Sequence, residues 1–148
     1  MKFSEEISQK LNRILETNLD AEKGYRFASE NVEDPELQEF YLERAEERYD
    51  FAHELRAEIM NFGEVPKEGT TLLGDAQRAW INLKTLLSVN KAETILEEAV
   101  QGEQFAVAEY EEILSSRDIP ENTAKILRKQ KDAIVAVLNR VKSLELQA

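Results

Sequence analysis

ERYDFAHELRAEI, residues 47–59, holds the only histidine of the chain and an arginine at a core position. Phe51, Leu55 and Ile59 recur at four-residue spacing, so the segment reads as an amphipathic helix. At about 100° per residue, Arg48 projects between Leu55 and Ile59, on the apolar side. Asp50 and His53 project about 140° and about 160° away from Leu55, toward solvent. Their acid-x-x-His spacing puts both on one helix face, as in a metal-ligand pair. Their phase sets that pair outside the core. A permanent cation faces inward and the lone imidazole faces outward.

Outward from this segment the same rhythm continues. Leu37, Phe40, Tyr41 and Phe62 extend the stripe into a helix that opens at Asp34-Pro35 and stops near Gly63. Before it, Ile7, Leu11, Ile14, Ala21, Tyr25, Ala28 and Val32 predict a helix from residue 4 to about 31, with Ser4 as N-cap. After GEVPKEG (63–69), Leu72, Leu73, Ala76, Trp80, Leu83 and Leu87 predict a shorter amphipathic helix. Asn90 and Glu93 resemble a capping box opening a third long helix, roughly 91–116, marked by Ile95, Ala99, Ala106, Tyr110 and Ile113. Pro120 opens the last helix, with Leu127, Ile134, Val137, Leu138, Val141 and Leu144 on its face.

Two short turns pair helices one with two and three with four as antiparallel neighbours. The central connection of about thirty residues is long enough to cross a bundle. The expectation is an all-α, ferritin-like four-helix bundle with a helix-containing crossover between helices two and three, in one domain spanning 1–148.

Composition narrows the function classes. A chain of 148 residues suffices for one substantial core. With no Cys there is no disulfide framework, thiolate metal site or cysteine nucleophile. The net charge of −11, unrelieved by any basic stripe, disfavours nucleic acid and anionic membranes as partners. MKFSEEISQKLNRILE lacks the apolar core of a signal peptide, and no run nears the ~20 apolar residues of a membrane span, so a cytoplasmic protein is expected.

One polar residue per helix interrupts the apolar stripes near mid-length: Glu22, Arg48, Glu103 and Gln130. Glu22 projects between Leu11 and Leu15, Glu103 between Tyr110 and Leu114, and Gln130 between Val137 and Val141. Asn18 also lies on the first stripe, whereas Asp20 points away. These four predict a shared polar layer in which Arg48 bridges Glu22 and Glu103 and fixes helix register. Gly24 and Gly102, both helix-interior, fall within two residues of Glu22 and Glu103 and suggest close helix approach or a slot for a small apolar or cationic ligand. Glu47, Glu54 and Glu58 form an acidic column beside the core. Glu97, Glu98, Glu109, Glu111 and Glu112 read as a solvated face.

The whole chain resembles the small bacterial ferritin-like bundles grouped as a family of unknown function. EKGYRFASENVEDPEL, ERYDFAHELRAEI, RAWINLK and EEAVQGEQFAVAEYEEIL carry the likeness. The resemblance implies a bundle whose core can house two metal ions on paired carboxylates and Glu-x-x-His motifs. This chain departs from that pattern at Arg48 and Gln130, and its fourth helix has no Glu-x-x-His. The expected reading is therefore a non-enzymatic, metal-free homodimer, structural or stress-associated, without catalytic residues or a cofactor. The alternative is a di-iron or di-manganese carboxylate oxidoreductase or metal-storage protein using Glu22, Glu47, Asp50, His53 and Glu103.

Overall fold

The computed structural model describes residues 2–66 and 91–147. They form four helices: α1 (Lys2–Asn31), α2 (Pro35–Asn61), α3 (Lys91–Leu114) and α4 (Glu121–Gln147). No strand occurs among the described residues. The shorter helix expected over Leu72–Leu87, with Trp80, and the Asn90 cap lie outside them.

The α1–α2 turn follows its local chemistry. Asp34 is the N-cap of α2, its carboxylate accepting from the Glu36 N–H at 2.9 Å, and Pro35 opens the helix where no backbone donor is needed. Gly63 ends α2 at φ 78°, in the left-handed region that glycine enters without a Cβ clash. Ser4 does not cap α1. The helix already begins at Lys2, and the Ser4 hydroxyl donates instead to Glu64 at 3.3 Å.

Helix directions follow from cross-helix contacts. Lys10 meets Ser116, Asn18 meets Tyr110 and Tyr25 meets Glu103, so α1 and α3 are antiparallel. Phe51 meets Gln130 and Glu58 meets Thr123, so α2 and α4 are antiparallel. The main packing is α1 on α2 and α3 on α4, with α1–α3 and α2–α4 completing a square. On this square α2 and α3 are diagonal and run the same way.

The core has two apolar halves. One gathers Ala21, Tyr25, Tyr41, Ala45, Ile95, Ala99, Val137 and Val141. The other gathers Ile7, Leu11, Ile14, Leu55, Ile59, Ala106, Ile113 and Leu127. Each fully buried aliphatic side chain contributes about 1.5–3 kcal/mol. On α1, α2 and α3 the halves meet at residues 19–21, 45–51 and 100–106, which is the level of the buried polar groups.

Candidate functional site

Arg48 lies at the junction of the two halves, 1% exposed, and reaches from α2 across the bundle diagonal to α3. Its Nη1 donates to Glu103 Oε1 at 2.5 Å and its Nε to Asn18 Oδ1 at 2.6 Å. Tyr25 donates to the second oxygen of Glu103 at 2.9 Å. Asn18 Nδ2 donates to the Ile14 carbonyl and to the Tyr110 hydroxyl, both at 2.9 Å. Tyr110 then donates to Gln130 Oε1 at 2.7 Å. Gln130 Nε2 completes the run toward the Phe51 carbonyl at 3.4 Å and Glu54 Oε1 at 3.2 Å.

These bonds have one sense. A guanidinium only donates and a carboxylate only accepts, so the amides and hydroxyl between Arg48 and Glu54 take one consistent orientation. Burial pushes the Tyr110 hydroxyl above its usual pKa, and burial with the charge of Glu103 pushes Tyr25 well above its own. Both phenols stay protonated and keep donating. Burial opposes the charge on Arg48, but Glu103, Tyr110 and Tyr25 outweigh it and hold the guanidinium above its ordinary pKa. Among the described residues Arg48 Nη2 has no hydrogen-bond partner, so even this network leaves one buried donor unsatisfied.

Arg48, Glu103 and Gln130 are thus brought together, all 1% exposed or less. Glu22 is not with them. Its carboxylate turns to the rim, 15% exposed, and pairs with Arg26 one turn on at 2.9 Å. Asn18, fully buried, supplies the α1 member instead. The expected Arg48 bridge between Glu22 and Glu103 is therefore a bridge between Asn18 and Glu103. The reason is competition: Glu22 has an exposed cation at i+4, and the buried position favours a neutral amide.

Three more carboxylates differ from expectation. Asp20, Glu98 and Glu109 are 6%, 6% and 8% exposed rather than solvated. Glu109 accepts from the Thr17 hydroxyl, which also faces the Arg13 carbonyl at 3.0 Å. Burial raises its pKa, with Thr17 and then Arg13 offsetting part of the rise. Glu97, Glu111 and Glu112 are exposed. Gly24 and Gly102 are buried within α1 and α3, close along the chain to the layer.

The alternative metal set is scattered. Asp50 and His53 are exposed, and the His53 ring packs edge-on against Tyr49 at 4.7 Å. Glu47 is half-buried, 3.6 Å from Arg44, and raised in pKa by burial. With Glu43, Glu46, Asp50 and Glu54 it lines a surface cleft of about 550 Å³, where Arg44 and Lys129 are the cations. No group of three or more acidic or His side chains placed to hold a metal occurs among the described residues.

Helical phase puts Asn18 on the α1 stripe without assigning it to the layer, and it marks Tyr25 and Tyr110 only as core positions. The usable signal was their polar tips, since a buried Tyr hydroxyl normally finds a partner.

Fold and site together define an all-α four-helix bundle whose core is crossed by a hydrogen-bonded polar layer. Residues 6–116 match the family model described as "Domain of unknown function (DUF2383)", and the chain belongs to that family. The match spans Asn18, Tyr25, Arg48, Glu103 and Tyr110 and ends before α4 and Gln130. A search of curated proteins returns no match. No helix among the described residues is long and apolar enough to cross a membrane.

Proposed function

We propose that this protein is a non-enzymatic, ferritin-like structural bundle, cytoplasmic, in which an arginine-centred hydrogen-bond layer stands where related folds hold two metal ions. The observation that carries the reading is the commitment of Glu103. One of its oxygens receives Arg48 and the other receives Tyr25, so both oxygens of this buried carboxylate are engaged by protein donors. The other layer members are a guanidinium, two amides and two phenols. That donor set does not fit a di-metal centre, which relies on several carboxylates and imidazoles. Two divalent ions would also be repelled by the buried guanidinium of Arg48.

The ferritin-like assignment is supported by helix direction. In this structure α2 and α3 run parallel on a diagonal of the bundle, which is the relation those helices have in ferritin-like connectivity. The layer's role is register. Sliding α2, α3 or α4 by one turn would separate Arg48 from Glu103 or Tyr110 from Gln130, and sliding α1 would part Asn18 from Arg48 and Tyr110, leaving buried polar groups unpaired.

Elemental analysis after tag-free purification from iron- and manganese-supplemented cultures tests the reading. The expected result is well under one metal per chain, unchanged in Arg48→Met. Near two metals per chain, lost on Glu103→Gln, would replace it with the oxidoreductase or metal-storage alternative.

A further inference from the structure

The α2 helix carries a second stripe that the core does not use. Leu42, Glu46, Tyr49, His53, Arg56 and Met60 follow one another at alternating spacings of four and three, the pattern of a coiled-coil seam. At about 100° per residue all six fall within about 40° of one line along the helix. Leu42, Tyr49 and Met60 are 42%, 41% and 58% exposed, high for large apolar side chains on a helix already packed on its other side. Glu46 and His53 are exposed and Arg56 half-buried. Neither Glu46 nor Arg56 has an ion-pair partner among the described residues.

The stripe is its own complement when reversed. Leu42 and Met60 lie nine residues either side of Phe51, Glu46 and Arg56 five, and Tyr49 and His53 two. Two α2 helices laid antiparallel about Phe51 therefore oppose Leu42 to Met60, Glu46 to Arg56 and Tyr49 to His53, each twice. A parallel pairing would set Glu46 against Glu46 and Arg56 against Arg56. The Tyr49–His53 pair, already edge-to-face at 86°, lies next to the two-fold axis of the antiparallel arrangement. The stripe carries one acid and one base, so it is neutral although the chain bears −11. That makes it a line along which two acidic copies can meet with less repulsion than elsewhere on an acidic surface.

We propose that the outward face of α2 is an isologous, antiparallel dimer interface whose occupant is a second copy of this chain. The seam runs about 27 Å from Leu42 to Met60 at 1.5 Å per residue. Its energetic centre is Tyr49 with His53, flanked by two Glu46–Arg56 pairs that set direction and two Leu42–Met60 contacts that close the ends.

Sedimentation equilibrium on the full chain, from micromolar to ~100 µM, tests the proposal, since dissociation constants in that range correspond to about 5–8 kcal/mol. A dimer is expected. Arg56→Glu, which puts Glu46 opposite a second glutamate twice, and Tyr49→Glu should each weaken it by at least about tenfold, or 1.4 kcal/mol. Circular dichroism should show the helix content of both variants unchanged. The swapped double variant Glu46→Arg with Arg56→Glu should recover dimerisation. A wild-type monomer over the whole range would overturn the proposal. So would a dimer indifferent to Arg56→Glu, or one that the swap fails to restore. The seam is independent of the buried layer, so either result leaves the reading of Arg48 and Glu103 to its own metal analysis.

Discussion

Glu103 and Glu109 lie six residues apart on α3, and both carboxylates are removed from water, yet their surroundings differ in kind. Glu103 has a buried guanidinium on one oxygen and a phenol on the other. Glu109 has a threonine hydroxyl whose single proton also faces a backbone carbonyl, and an arginine that is half in solvent at 3.8 Å. Burial of a carboxylate is thus not one condition. Where a desolvated cation is within hydrogen-bond reach, the pair is self-contained and removing either member is costly. Where only a hydroxyl and a screened cation answer, burial dominates and the charge itself is the burden.

The largest test of that contrast is Arg48→Met. It leaves Glu103 buried with Tyr25 alone, and breaking a buried pair from one side costs about 3–5 kcal/mol. Thermal unfolding at neutral pH should show a matching fall in Tm, much of it recovered when Glu103→Gln is added. An unchanged Tm would remove the layer's claim to hold the helices in register.

Tyr110→Phe is a smaller cut into the same network. It strips one hydroxyl and leaves Asn18 Nδ2 short of a partner and Gln130 Oε1 unpaired. A loss of about 1–3 kcal/mol in urea unfolding is expected. A neutral outcome would show that Asn18 and Gln130 do not depend on the link.

Glu109→Gln should have the smallest effect and the opposite sign. The Glu109 pKa is raised above its usual 4.5, chiefly by burial, so between that value and the raised one the folded chain binds more protons than the unfolded one. Stability therefore falls as pH rises through that window, and the penalty is complete above it. A neutral amide escapes the penalty and brings its own N–H to Thr17. The variant should gain about 1 kcal/mol or less at neutral pH, with the gain fading as pH drops through the raised value toward 4.5 and absent below it. A loss at neutral pH would mean that the charge of Glu109, with Arg13, is worth more than its desolvation costs.

The two carboxylates also mark how far the sequence can be read. Phase relative to an apolar stripe located Arg48, Glu103 and Gln130, because a residue in line with Leu55 and Ile59 or with Tyr110 has nowhere to point but inward. The same phase set Asp50 and His53 outside despite their inviting spacing. Phase also sets Asp20 outside, and the charge run of α3 reads Glu98 and Glu109 as a solvated face, yet all three are buried. A helix packed on two neighbours buries a wider arc than its most apolar line, and the second neighbour is not visible in one helix's periodicity.

The order of the chain by itself determined four amphipathic helices, the Asp34-Pro35 and Gly63 boundaries of α2, and three polar positions at one height in the core. Those follow from local rules, spacing and capping, which each segment obeys on its own. Only the tertiary structure decided that Asn18 rather than Glu22 completes the layer, that Glu103 is held by Arg48 and Tyr25 together, and that Tyr110 joins Asn18 to Gln130. Each of those outcomes is a competition between partners on different helices. Glu22 had Arg26 one turn away in solvent, while Asn18 alone could give Arg48 an acceptor and Tyr110 a donor in the same buried space.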